Sequence, residues 1–138
     1  MDIIRILLVD DHQVVREGLR RMLETEEDIE VVGEAANVDE ALPVLESQSP
    51  EIVLMDVKMP GMNGIEATQL LKTRFPACNV IILTLYEDNL IQAIEAGAVG
   101  YLLKGIKQEE LLTAIRTIHL WGMVLFRNGA SRFALVKL

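Results

Sequence analysis

The stretch ILLVDDHQVVREGLRRML, at residues 6–23, decides the fold of this chain. An apolar run over residues 3–9 leads into it without the polar alternation of a half-exposed strand, which is typical of a strand buried on both faces. Asp10 and Asp11 end that run. Residues 12–25 then form a predicted helix, because apolar side chains recur at helical spacing: Val15, Leu19, Met22 and Leu23.

The same succession of a short apolar run and a helical pattern recurs along the chain. Further strands are predicted at residues 29–32, 52–55, 80–83 and 100–103. Further helices are predicted at residues 37–47, 65–75, 88–96 and 107–120. Pro43 falls inside the second helix and predicts that this helix is short or distorted, while Asn37 or Asp39 is expected to cap it.

Five strand–helix units in strict alternation predict an α/β fold with a parallel sheet covered by helices on both faces. Right-handed crossovers leave few topologies for such a sheet. Among these we predict the strand order 2-1-3-4-5, although the alternation alone does not fix the order.

Residues 123–138 break the alternation. An apolar segment at residues 123–126 precedes a predicted turn at Asn128-Gly129. Ser131 is expected to cap a short helix that contains Phe133, Leu135 and Val136. We therefore predict one domain at residues 1–122 and a linker or packing extension at residues 123–138.

The composition excludes several classes of function. Hydrophobic residues make up 51% of the chain and aromatic residues 4%, which predicts an aliphatic core. Thirteen basic and twenty-one acidic residues give a net charge of −8, so this chain alone is not expected to bind nucleic acid or an anionic membrane. Cys78 is the single cysteine, which favours a small buried side chain in a reducing, cytoplasmic compartment. No apolar stretch approaches the ~20 residues of a membrane span.

Polar side chains follow four of the predicted strands. Asp10 and Asp11 follow the first strand, Asp56 the third, Thr84 the fourth and Lys104 the fifth. The carboxyl ends of parallel strands meet at the edge where ligands bind, and buried carboxylates need a compensating charge. Mg²⁺ prefers oxygen ligands and often retains a phosphate oxygen, while a carboxylate can act as a nucleophile toward phosphorus. The sequence therefore predicts a Mg²⁺-dependent phosphoryl-transfer site.

These motifs resemble a known family. The stretches ILLVDDHQVVREGLRRML, IVLMDVKMPGMNG, VIILT and GAVGYLLK look like the receiver domain of bacterial two-component response regulators, over roughly residues 3–120. The DDH start and a GYLLK without a following proline resemble the NarL/LuxR-type transcriptional regulators more specifically. The resemblance implies a flavodoxin-like (βα)5 fold and a signalling switch rather than a metabolic enzyme.

The resemblance also implies a role for each site residue. Asp56 would be the phosphoacceptor and also one of the Mg²⁺ ligands. Asp11 would bind Mg²⁺ directly and Asp10 partly through water, with the backbone carbonyl of Lys58 completing the protein's share of the ligands. Lys104 would pair with the phosphoryl oxygens.

Thr84 and Tyr101 would form the family's switch, which reshapes the face made by the fourth helix, fifth strand and fifth helix. A sensor histidine kinase would donate the phosphoryl group, and slow self-catalysed dephosphorylation is expected. Homodimers would form through the first and fifth helices or through the switch face, with Trp121 and residues 123–126 offering surface. DNA would be bound only through a helix-turn-helix output domain, which is expected to be absent from this chain.

Two departures from the family pattern stand out. Gly105 follows Lys104 where many receivers have proline, although the NarL/LuxR-type group often lacks it too. Lys58 and Tyr86 lie two residues beyond Asp56 and Thr84, positions near the attacking water in the family, and are expected to tune dephosphorylation in either direction.

Other interpretations remain open at this point. Asp10-Asp11 fits a turn and helix cap, Tyr101 a half-buried strand aromatic, and His12 an exposed first-turn residue. His119 and Trp121 are expected to be packing or interface residues.

Three other functions are also compatible with parts of the pattern. The first is a degenerate receiver that only binds a protein partner. The second is an aspartyl-phosphate phosphatase, which needs a second aspartate where Gln13 stands. The third is a flavodoxin-like cofactor binder, which needs a loop rich in glycine, serine or threonine after the first strand.

Overall fold

The computed structural model describes residues 2–122, 124–127 and 133–136. Strands and helices alternate through residue 121, and two further strands follow. The strands are β1 (Ile4–Val9), β2 (Ile29–Ala35), β3 (Ile52–Met55), β4 (Asn79–Thr84), β5 (Gly100–Leu103), β6 (Val124–Arg127) and β7 (Phe133–Val136). The helices are α1 (Gln13–Glu24), α2 (Val38–Gln48), α3 (Gly64–Arg74), α4 (Leu90–Ala96) and α5 (Gln108–Trp121).

The first five strands form a parallel sheet in the order β2-β1-β3-β4-β5. The predicted order is confirmed. The carboxyl ends of β1 and β3 are adjacent, since Val9 pairs with Met55, and those of β4 and β5 are adjacent, since Thr84 pairs with Leu103. The residues that follow these strands are therefore brought to one edge of the sheet.

Each face of the sheet is buried under helices, as the continuous apolar strands predict. In β1, Leu7 and Val9 face one core, while Ile6 and Leu8 face the other. The first core also receives buried residues from α2, α3 and α4, and the second receives them from α1 and α5. The helices thus form two layers around the sheet, with three on one side and two on the other.

Helix α2 differs from the prediction that Pro43 makes it short or distorted. It runs for 11 residues through Pro43, and the Asn37 side chain caps it by accepting a hydrogen bond from the Glu40 N–H at 3.0 Å. A proline removes the hydrogen bond to the carbonyl four residues earlier, here that of Asp39. Asp39 is exposed in the first turn, so water can satisfy that carbonyl and the helix continues.

The sheet extends beyond the five predicted strands. Strand β6 pairs in parallel with β5, and β7 pairs with β6 in antiparallel orientation. The predicted short helix at Phe133, Leu135 and Val136 is therefore wrong. The edge of β5 offers unpaired backbone groups, and pairing with another strand satisfies them. The predicted turn at Asn128-Gly129 and the cap at Ser131 lie outside the described residues.

Cys78 is buried just before β4, as predicted for a small apolar side chain. Burial raises the pKa of its thiol to about 12, so the reactive thiolate does not form at neutral pH. Across the described ranges, no helix has both the length and the apolar character that a bilayer crossing needs.

Candidate functional site

The predicted aspartates converge at the carboxyl edge of the sheet. Asp10 and Asp56 are buried at the ends of β1 and β3, and Asp11 is partly exposed beside them. The Asp10 N–H donates to the Ala35 carbonyl at 3.0 Å, and the Asp56 N–H donates to the Val9 carbonyl at 2.9 Å. Because the sheet's hydrogen bonding continues into both residues, their side chains start from fixed backbone positions.

Lys104 links two of these carboxylates. Its Nζ lies 2.7 Å from Asp10 Oδ2 and 3.4 Å from Asp56 Oδ1, and its side chain is largely buried. The Lys104 N–H donates to the Thr84 carbonyl at 2.6 Å, which extends the pairing of β5 with β4 by one residue. The two carboxylates depend on this lysine, because removing Lys104 would leave two buried negative charges uncompensated.

The local environment shifts the titration of two groups in the site. Burial, and next the negative charge of Asp10, raise the pKa of the Asp56 carboxyl above its usual range, and Lys104 offsets this only in part. Burial on its own would lower the pKa of Lys104, but the hydrogen bond that its ammonium donates to Asp10 and the charges of both carboxylates outweigh it and raise that pKa. At neutral pH the lysine is therefore a fixed positive charge.

Backbone amides orient the two buried carboxylates. The Val57 N–H donates to Asp56 Oδ1 at 2.9 Å, and the His12 N–H donates to Asp10 Oδ1 at 2.9 Å. Asp10 thus serves the turn into α1, as one of the open interpretations had it, while it also faces the site. Among the described residues, Asp11 Oδ1 is buried without a hydrogen-bond partner. His12 Nδ1 comes within 3.1 Å of that oxygen but does not make a hydrogen bond with it.

The residues fit a divalent cation. One side-chain ligand atom from each of Asp10, Asp11, His12 and Asp56 lies within 4.8 Å of the others. The orphaned buried oxygen of Asp11 points to a missing positive partner, since buried polar atoms are normally satisfied. A donor set dominated by carboxylate oxygens suits a hard cation such as Mg²⁺.

Thr84 and Tyr101 meet at Tyr86. The Thr84 side chain is fully buried, and its hydroxyl accepts a hydrogen bond from the Tyr86 N–H at 3.4 Å. Tyr101 is buried, and its hydroxyl donates to the Tyr86 carbonyl. Burial raises the pKa of the Tyr101 phenol. The half-buried interpretation of Tyr101 is wrong, because this aromatic side chain packs into the core on the α4 side of the sheet.

Lys58 and Tyr86 contact each other. The Lys58 ammonium lies 4.0 Å from the centroid of the Tyr86 ring, within the range of a cation–π interaction. Lys58 and Tyr86 lie two positions beyond Asp56 and Thr84 in the sequence, but a contact between them was not predicted. Their shared offset from Asp56 and Thr84, on adjacent strands, was the available clue. Lys58 as a carbonyl ligand stays a prediction.

Gly64 lets α3 begin directly against the segment that carries Asp56. A Cβ at this position would lie 1.9 Å from the Asp56 carbonyl oxygen, closer than any real contact. The Gly64 N–H donates to the Val57 carbonyl at 2.7 Å, and Asn63 and Glu66 form a capping box at the helix start. The segment carrying Asp56 is therefore fixed by close backbone packing as well as by the sheet.

The two histidines lie in the kinds of position predicted from the sequence. The His12 side chain is exposed at the start of α1, but its position beside two carboxylates was not predicted. His119 packs near the end of α5, with Nδ1 2.7 Å from Glu51 Oε2. Glu51 precedes β3, so this pair lies at the opposite edge of the sheet from Asp56. Trp121 is 72% exposed and leaves surface available for an interface.

Comparison with known proteins supports this geometry. The sequence matches the response regulator receiver domain family over residues 6–116. It is 45% identical over 115 residues to transcriptional regulatory protein LiaR of Bacillus subtilis (strain 168), covering 82% of this chain and 54% of LiaR. It is 38% identical over 137 residues to response regulator UvrY of Escherichia coli (strain K12), covering 98% of this chain and 63% of UvrY. The chain thus spans little more than half the length of these relatives.

A solved structure shares the fold. The two-component response regulator of the LuxR family from Aurantimonas sp. SI85-9A1 superimposes with a TM-score of 0.80 at 41% sequence identity. The similarity covers 85% of this chain and 85% of that structure.

Asp56→Asn is expected to stabilise the protein at neutral pH. The raised pKa means that the folded protein binds this proton more tightly than the unfolded chain. The unfolding free energy of the wild type therefore falls as pH rises from the unfolded to the folded pKa, and the loss is complete above the folded value. The variant lacks this loss, so we expect it to be more stable than the wild type at pH 7, by an amount that shrinks in acid.

Urea denaturation of both proteins across this pH range measures the difference. Asp39→Asn is the matched control, because it changes an exposed carboxylate and should not stabilise the protein. An Asp56→Asn variant no more stable than the wild type at pH 7 would show that burial does not raise the pKa of this carboxyl.

Proposed function

The chain belongs to the response regulator receiver domain family, and from this we propose that it accepts a phosphoryl group on Asp56 from a sensor histidine kinase in the presence of Mg²⁺. It is a receiver domain of a two-component system, and its relatives are transcriptional regulators. The observation that carries the proposal is the buried Asp56 carboxylate beside the Lys104 ammonium, with two further carboxylates adjacent.

The contacts of Asp56 suggest which oxygen reacts. Its hydrogen bond from Val57 and its ion pair with Lys104 both involve Oδ1. We therefore assign the attack on phosphorus to Oδ2. The bond from Oδ2 to phosphorus forms as the bond from phosphorus to the donor's histidine nitrogen breaks, and the imidazole leaves with the electron pair.

The other site residues serve the phosphoryl group. Asp10 and Asp11 would hold Mg²⁺, with the Lys58 carbonyl as a further ligand. When bound, Mg²⁺ supplies charge neutralisation to the phosphoryl oxygens during transfer. The Lys104 ammonium pairs with a phosphoryl oxygen as a point charge, and the Thr84 hydroxyl donates a hydrogen bond to another.

The surface beside the site fits a protein as the phosphoryl donor. A groove of about 540 Å³ opens next to His12 and Lys104 and is otherwise lined mostly by apolar side chains of α1 and the segment after β5. Val14 and Leu85 line it and are largely exposed. A partner helix that covers this groove would bring its phosphohistidine to the acidic edge.

Phosphorylation would act on the rest of the protein through Tyr86. When Thr84 turns toward the phosphoryl group, the Tyr86 N–H loses its acceptor, and the Tyr86 carbonyl that holds Tyr101 moves with it. This movement would reshape the face of α4, β5 and α5. We propose that the reshaped face, together with the exposed Trp121, forms a homodimer.

The wider context of the chain is also a proposal. Residues 1–122 would form the receiver and residues 123–138 an extension of it, in a cytoplasmic protein. Transcription control would pass through a DNA-binding output domain outside this chain. The net charge of −8 supports this division, because the receiver itself repels nucleic acid.

Phosphorylation can be tested with acetyl phosphate, which replaces the kinase as the donor. We expect the intact mass of the wild type to increase by one phosphoryl group only when Mg²⁺ is present. Asp56→Asn should show no increase, because the amide is not a nucleophile, whereas the exposed-site control Asp39→Asn should behave like the wild type. A wild type that never gains mass would favour a degenerate receiver and overturn the proposal.

The switch can be tested with two variants at Thr84. In sedimentation velocity with acetyl phosphate and Mg²⁺, we expect wild type and Thr84→Ser to form dimers. Thr84→Ala should gain the mass of one phosphoryl group but remain monomeric, because it lacks the hydroxyl that couples the site to Tyr86. Dimerisation of phosphorylated Thr84→Ala to the wild-type extent would contradict this role.

A further inference from the structure

Arg16 ties helix α1 to the backbone of the acidic edge. Its guanidinium donates through Nη1 to the backbone carbonyl of Asp10 and through Nε to Glu34 Oε1 at 3.1 Å. Only 14% of its side chain is exposed. One planar guanidinium thus holds two acceptors in a fixed relative position, which suits its rigid fork of donors.

Glu34 provides a firm anchor for this contact. It lies in β2 opposite Leu8 of β1, so the sheet fixes its backbone. Its second oxygen, Oε2, accepts a hydrogen bond from Arg20 Nη1 at 2.9 Å. Arg16 and Arg20 therefore share one carboxylate, but only Arg16 reaches the backbone beside the site.

The contact fixes the orientation of the peptide between Asp10 and Asp11. The Asp10 N–H is held by Ala35, and its carbonyl is held by Arg16. Rotation of this peptide would redirect the Asp11 side chain, whose buried Oδ1 has no hydrogen-bond partner among the described residues. Apart from the His12 ring, 3.1 Å from that oxygen, Asp11 depends on its backbone for its direction.

We propose that Arg16 is a positioning residue for the divalent cation, acting through the Asp10–Asp11 peptide. This inference rests on the proposed function, in which that cation is Mg²⁺. Arg16 holds the peptide so that the Asp11 carboxylate faces the cation site before the cation arrives. Residues that orient metal ligands in this way contribute strongly to affinity.

The sign of the effect separates this role from a purely electrostatic one. A positive charge near the site repels Mg²⁺, so removing the charge alone should strengthen binding. Loss of positioning should weaken it. Arg16→Gln therefore gives opposite results under the two accounts.

Isothermal titration of the full chain with magnesium chloride tests the proposal, with Arg20→Gln as the matched control. The control loses the same charge and the same partner, Glu34, together with an ion pair to Glu24, but no contact to Asp10. We expect Arg16→Gln to weaken Mg²⁺ binding by about tenfold or more, and Arg20→Gln to bind as tightly as the wild type or more tightly. Urea denaturation should show that the two variants lose similar stability.

Several results would overturn the inference. Arg16→Gln that binds Mg²⁺ as tightly as the wild type would do so, as would equal weakening in both variants. If circular dichroism shows that Arg16→Gln does not fold, Arg16→Lys decides, because its single ammonium cannot span both acceptors. Wild-type affinity in that variant would contradict the positioning role.

A wild type that binds no Mg²⁺ would overturn both this inference and the metal requirement in the proposed function, whereas failure of the Arg16 variants alone leaves the proposed function intact.

Discussion

The Lys104 ammonium, shared between the buried carboxylates of Asp10 and Asp56, is the interaction on which the site depends. Without it, two buried negative charges at adjacent strand ends would repel each other at a high free-energy cost. With it, three carboxylates face one ammonium, and two negative charges remain. These two remaining negative charges match one divalent cation. The site can therefore fold with Lys104 in place and still bind such a cation.

The fold supplies this arrangement from separate strands, and for that reason much of it could be predicted from the sequence. Continuous apolar runs identify buried parallel strands, and any polar residue that follows such a run reaches the same edge. Asp10, Asp56 and Lys104 can therefore be placed together from the sequence without structural information. It is weaker where local preference and sheet pairing compete, as at residues 133–136, where pairing with β6 replaces the expected helix.

The contacts that refine the site could not be predicted, because they depend on side-chain direction across elements. In the sequence, Arg16 is one polar residue among several on a predicted helix. Nothing there indicates that it contacts the Asp10 carbonyl and Glu34. The Lys58–Tyr86 contact likewise joins two loops that are adjacent only because β3 and β4 pair. Long, flexible side chains acquire their partners from the tertiary fold rather than from their neighbours in sequence.

The electrostatic origin of the site can be measured directly by carbon NMR titration of the Asp56 carboxyl, in the absence and presence of Mg²⁺. We expect an apparent pKa above the ordinary aspartate value of about 3.9 without the cation, and a lower one when Mg²⁺ is added. In Lys104→Met the pKa without cation should rise further, because the compensating charge is gone. A pKa at or below the ordinary value that does not respond to Mg²⁺ would contradict the central claim that burial and charge repulsion prepare this edge for a cation and a phosphoryl group.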